Sequence, residues 1–164
     1  MTETRREIAR IVEHHLDEIL DRTIAAYREE IPSLRGADDN ALERVRESTR
    51  RATLGFLALY ADPDSPARLI LNEARRATVD RAGETYDRDE IVAMIRIGRQ
   101  VVFHSAREFV AQELGHDAAR EEDVRTSLEA FLNELERAEQ LIPPADDAVH
   151  HLLANAEAEE PDLG

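Results

Sequence analysis

Between Asp87 and Gly115 the chain runs for about 27 residues without a proline, and its apolar side chains recur at helical spacing on more than half of the circumference. A single helix over this stretch is roughly 40 Å long. At 100° per residue, Arg96, Gln100, His104, Arg107 and Glu108 form one polar stripe. Opposite them lie Ile91, Ile95, Gly98, Val101, Val102, Ser105 and Phe109, and a second apolar strip of Val92, Phe103, Ala106 and Val110 flanks that arc. A helix this greasy has to be central, or has to touch both its own core and a partner chain. Gly98 stands at the middle of the apolar arc, where glycine costs up to about 1 kcal/mol relative to alanine, so a second helix is expected to approach closely there.

The remaining breakers divide the chain into five further helical segments, and no stretch alternates with period 2, so the expected fold is all-α with six helices, the long one being the central helix 4. Helix 1 is expected from Thr4 to Glu30, opened by the pair Thr4 and Glu7 and stopped by Ile31-Pro32. Its apolar face is Ile8, Ile11, Val12, Leu16, Ile19, Thr23 and Tyr27. Helix 2 starts at Asp39 or Asn40 and runs to Tyr60. Helix 3 is capped by Ser65 with Pro66 at its first position, runs through Leu69, Ile70, Ala74 and Ala77, and stops at Gly83. Helix 4 has Asp87 as N-cap and Glu90 as its partner. Helix 5 starts near Asp117 and ends at Ile142 before Pro143-Pro144, and a short helix 6 follows from Asp146. Residues 4–142 are therefore read as one helical domain, 143–157 as a short C-terminal helix and 158–164 as a disordered acidic tail.

Composition removes several kinds of chemistry. All 21 basic residues are arginine, so lysine Schiff bases, a P-loop lysine and a lysine general base are excluded. There is no cysteine, which excludes disulfides, thiolate nucleophiles, iron–sulfur clusters and cysteine zinc sites. With 36 acidic residues the formal net charge is −15, and the arginines are interspersed with acids along the sequence, as Arg44 and Arg46 are with Glu43 and Glu47. Such a chain repels phosphate backbones and anionic lipid, so neither direct nucleic-acid binding nor membrane association is expected. No apolar run approaches the roughly 20 residues of a membrane span, and the acidic start is not a signal peptide, which places the protein in the cytoplasm.

The histidines offer the candidates for a metal or haem. Glu113 and His116 have the Glu-x-x-His spacing of di-iron bundles, but Gly115 falls inside the motif and no second copy completes the pair. His104 and Glu108 lie one turn apart on the polar stripe and read as an exposed pair. His15 falls on the buried face of helix 1 and, with Ser105, is a candidate buried polar or ligand contact. His14 points away, and His150-His151 read as surface. No nucleophile elbow, phosphate loop or confined carboxylate pair is present, so no catalytic, cofactor or metal residue is assigned and the protein is not expected to be an enzyme.

Tyr27 and Ile31, Ala41-Leu-Glu-Arg-Val-Arg46, Thr53-Leu-Gly-Phe-Leu57, Arg75-Arg-Ala-Thr-Val-Asp-Arg-Ala-Gly83 and Ile91-Val-Ala-Met-Ile-Arg-Ile-Gly98 leading to Val102-Phe103 form a familiar series. It resembles the N-terminal sensory domain of PucR-like bacterial transcription regulators, which is similar to the N-terminal domain of the stressosome RsbT co-antagonist proteins. The resemblance covers roughly residues 20–112, with its sharpest part at Arg96 to Gly98. It implies a globin-like bundle without haem and a non-catalytic regulatory input domain of a bacterial transcription or stress-signalling regulator. Such a domain dimerises and passes a signal to an effector domain in the same chain or to a partner regulator. The chain then reads as a piece of a longer regulator or as a stand-alone module. A homodimer is expected through the second strip of helix 4, Val92, Phe103, Ala106 and Val110, or through the face of helix 1. The alternative is a haem- or metal-binding helical sensor using His15 or His104.

Overall fold

The computed structural model describes residues 2–115 and 117–139, with the side chains of 138 and 139 left out. Within them are seven α-helices and no strand: α1 (Thr2–His14), α2 (Leu16–Glu30), α3 (Pro32–Arg35), α4 (Asp39–Ala61), α5 (Arg68–Ala82), α6 (Arg88–Leu114) and α7 (Glu121–Glu139). The all-α class is as the sequence implies. Expected helix 6, the acidic tail, His116 and His150-His151 lie outside the described residues.

The first expected helix is two. At His15 the backbone bends, its N–H shared between the carbonyls of Ile11 and Val12 at 3.2 Å each, and α2 resumes with Ile19 bonding back to His15. At the bend a tertiary contact forms that no local propensity encodes: the His15 ring lies flat on Phe109 of α6, centroids 3.9 Å apart. Thr4 does not cap this helix. It sits one turn inside α1 and is buried, while Glu7 pairs with Arg120 in the turn before α7.

Other boundaries shift by small amounts for local reasons. Asp38, rather than Asp39 or Asn40, caps α4, its carboxylate accepting from the Ala41 N–H at 2.8 Å. Ile31-Pro32 ends α2 as expected, and Pro32 then starts the one-turn α3, whose Leu34 is fully buried. Ser65 accepts from the Ala67 N–H, but the turn it closes precedes α5, which starts at Arg68. Asp117 likewise closes a turn ahead of α7. Asp87 caps α6 as the sequence implies, accepting from the Glu90 N–H at 2.9 Å, whereas the Glu90 carboxylate crosses to the backbone and hydroxyl of Ser33 on α3. Gly115 ends α6 with φ 63°, a conformation that favours glycine.

Two clusters make the core. One joins α1, α4, α6 and α7 through Ile8, Val12, Phe56, Tyr60, Ala106, Phe109, Val110 and Phe131. Phe131 meets both Phe56 and Tyr60 edge-to-face at 4.9 Å, and the Tyr60 hydroxyl donates to the Ser127 carbonyl at 2.7 Å. The other, from Tyr27, Ile31, Leu34, Val45, Ile91, Met94 and Ile97, fills the opposite end.

These clusters take Ala106, Val110 and the face of the first helix out of the surfaces assigned to a partner chain and leave Val92 and Phe103. Ala106 and Val110 are 0% and 1% exposed inside the chain's own core, and Val92 and Phe103 are partly buried. The apolar face of the first helix is equally covered, since α1 packs against α4, α6 and α7. Bending at His15 is what lets one chain cover both faces.

Helix α5 departs furthest from expectation. Leu69, Ile70, Ala74 and Ala77 are exposed, Leu69 and Ile70 by 77% and 72%. The face turned toward the molecule is Leu71, Arg75, Thr78, Val79 and Ala82, and no residue of this helix is fully buried.

Candidate ligand cavity

With α5 leaning on α4 rather than sinking into the core, a cavity of about 770 Å³ opens between α4, α5 and α6. Such volumes are typical of small-molecule sites. Val45, Phe56, Ile91, Met94, Ile95 and Val102 supply its apolar wall. Tyr27 and Thr49 supply polar groups. Burial pushes the Tyr27 phenol up to about 12, an effect that hydrogen bonding from Thr49 partly offsets, so the phenol stays protonated. Tyr86 on the α5–α6 connection is also raised by burial.

Charge around the cavity opposes the charge of the chain. Five arginines line it, Arg44, Arg51, Arg75, Arg81 and Arg99, against the single carboxylate of Asp38. Arg51 is paired with Glu47, and Arg81 donates to the Ala77 carbonyl. Arg75 is half-buried on the inward face of α5 and makes no hydrogen bond or ion pair of its own among the described residues. Desolvation is the main influence on it and pulls its guanidinium below the usual arginine value; Glu134 acts on it favourably from a distance, and Arg68 opposes it. Glu134, buried on α7, is bonded to Arg68 at 3.0 Å instead. The expectation that the arginines do not cluster holds along the sequence and fails in space.

The candidates drawn from the sequence fall elsewhere, with one exception. Gly98 does line the cavity, and what comes close to it is the Tyr27 hydroxyl: a Cβ there would lie 3.2 Å from that oxygen. Ser105 is buried but already accepts from Arg22 at 3.3 Å. Arg22 also pairs with Glu108 at 2.8 Å and lies over the Phe109 ring, so Glu108 is joined to α2 and not to His104. That pairing holds the Glu108 carboxyl below the ordinary carboxylate range. His15 is partly exposed, and its Nε2 lies 3.3 Å from Glu113. His104 is exposed beside Phe103. No histidine is among the residues lining the cavity, so neither could reach an iron placed in it, and no three metal-ligating side chains come together among the described residues.

Residues 17–138 match the model of the RsbT co-antagonist protein rsbRD N-terminal domain. The chain belongs to that family. Neither a curated protein nor a solved structure matches it. The rsbRD-type match extends the resemblance from residue 112 through α7 and begins at Asp17, immediately after the bend at His15. Helix α1 therefore lies outside the matched stretch and still contributes Ile8 and Val12 to the core. The family is a regulatory one in stress signalling, and no described helix of this rsbRD-type domain is long and apolar enough to cross a membrane.

The cavity and Arg75 were missed in the sequence because α5 was followed through Leu69, Ile70, Ala74 and Ala77. The signal was present: Leu71, Arg75, Thr78, Val79 and Ala82 have the i, i+4, i+7, i+8, i+11 spacing of a buried face, with one cation in it.

Proposed function

We propose that this rsbRD-type domain is the signal-input module of a stress-signalling regulator and that its cavity between α4, α5 and α6 receives a small molecule. The observation that carries the reading is the cavity itself, about 770 Å³ with a continuous apolar wall, in a domain of a regulatory family. The module works without catalysis and without contacting nucleic acid, in the cytoplasm, handing its state to an effector domain or a partner regulator. It acts as a homodimer. Leu69 and Ile70 on α5 and the Val92 and Phe103 edge of α6 are apolar side chains that have surface to offer a second copy.

Calorimetry with 1-decanol, an uncharged probe long enough to follow the apolar wall, tests the cavity. One site per chain is expected, lost in Ala52→Trp, which places a large ring into the space that Ala52 lines. Absence of saturable binding, or binding unaffected by a folded Ala52→Trp, refutes the reading.

A further inference from the structure

We propose that the cavity takes an organic acid with an apolar body, its carboxylate seated on the Arg75 guanidinium. The inference deepens the cavity reading above and rests on it. The register of α5 fixes the position: Leu71, Thr78 and Val79 face inward, and Arg75 stands among them. Arginine keeps its proton at any working pH, so its donors remain charged wherever the helix carries them. Here they are half-buried and unmatched. The nearby acid that could have neutralised them, Glu134, is held by Arg68 at 3.0 Å and Arg137 at 3.7 Å.

A buried cation without a partner is destabilising, and a ligand that supplies the missing anion recovers that cost on binding. The guanidinium fork matches a carboxylate in two parallel hydrogen bonds. Arg44 also lines this opening, where Asp38 is the one lining carboxylate, so the guanidinia here favour the approach of an anion to a chain whose net charge is −15. The rest of the ligand meets Val45, Phe56, Met94 and Val102, which offer no partner to a second charge. Burial also lowers the Arg75 guanidinium, as an uncompensated cation requires.

Titration calorimetry on the full chain compares decanoate, 1-decanol and inorganic phosphate, each below the concentration at which it self-associates. Decanoate is expected to bind one per chain and at least about tenfold more tightly than 1-decanol, the difference a charged hydrogen bond supplies. Phosphate alone should give no measurable heat. Arg75→Met should bring decanoate down to the affinity of 1-decanol, leave 1-decanol unchanged, and melt without ligand at or above the wild-type temperature. Arg75→Gln makes the same comparison if the methionine variant does not fold. Equal affinity of decanoate and 1-decanol for the wild type, or decanoate binding that survives loss of the guanidinium, overturns the anion proposal and leaves the cavity reading standing. Phosphate binding as tight as decanoate overturns it in favour of a simple anion site. Failure of both amphiphiles to bind sinks the cavity reading with it.

Discussion

Gly98 and Tyr27 allow the packing around the cavity to be tested by a double-mutant cycle. A helix-interior glycine costs about 0.8–1 kcal/mol relative to alanine, so Gly98→Ala gains roughly that amount from backbone propensity alone. The new Cβ would stand 3.2 Å from the Tyr27 hydroxyl, inside the usual contact distance of about 3.5–4.0 Å. Tyr27 is 6% exposed with Thr49 beside it, so its oxygen gives way only by disturbing packed neighbours, at about 1 kcal/mol. The two effects nearly cancel, and Gly98→Ala should change stability by less than about 0.5 kcal/mol. In a Tyr27→Phe background the oxygen is gone, and the same alanine should stabilise by about 0.5–1 kcal/mol. The coupling between the two positions is then about 1 kcal/mol, measurable from urea unfolding followed by far-ultraviolet circular dichroism. Gly98→Leu should cost roughly 1–3 kcal/mol, toward the lower end because the cavity accepts the outer carbons that a tight core would not. If Gly98→Ala stabilises both backgrounds equally, the hydroxyl does not press on this helix and the reasoning fails.

Glu90 predicts part of the acid limb of stability. Its hydrogen bonds from Ser33, the largest influence, hold its carboxyl below the ordinary value of 4.5. A lowered folded value means stability that is present above about pH 4.5 and lost as the pH falls through the lower, folded value, so Glu90→Gln should be less acid-sensitive than wild type in paired urea titrations; equal slopes would contradict this. Dimerisation through the α5 face predicts that light scattering at micromolar protein finds a dimer for wild type and a monomer for a folded Ile70→Asp. A dimeric Ile70→Asp moves the contact to the Val92 and Phe103 edge, and a monomeric wild type removes the dimer.

What could be read in the sequence and what could not divides by the range of the interaction. The long α6 from Asp87 to Gly115 was legible because its cap, its length and its stop are local, and its polar stripe from Arg96 to Glu108 is exposed as the spacing requires. The contact at the His15 bend was not, since its partner is Phe109, which lies 94 positions away and is brought near only by packing. The inner face of α5 was not legible because Leu69, Ile70, Ala74 and Ala77 also recur at helical spacing, while tertiary contact chose the face that includes a cation. The same limitation hid the arginine-lined cavity: Arg44, Arg75 and Arg99 come from three helices, far apart in the sequence, and only packing brings them to one space.

A ligand in this cavity has a physical route to the end of the domain. Leu135 lines the space and belongs to α7, the last described helix, and the residue before it, Glu134, is the buried acid bonded to Arg68 at the start of α5. At present Glu134 interacts with two guanidinia of α5, directly with Arg68 and at longer range with Arg75. A carboxylate placed on Arg75 satisfies that cation and repels Glu134, so occupation of the site weakens the hold of α5 on α7 at one end while filling the space beneath it at the other. The direction of the response depends on which arrangement of α5 and α7 binds the acid better, because a ligand moves an equilibrium only by its differential affinity. Glu134→Gln separates the contributions. It removes the repulsion but keeps a hydrogen-bond acceptor for Arg68, so decanoate should bind more tightly to this variant than to wild type while 1-decanol binds equally to both. Unchanged decanoate affinity would mean that α7 does not sense the charge of the ligand, and the route from cavity to α7 would then have to run through the packing of Leu135 alone.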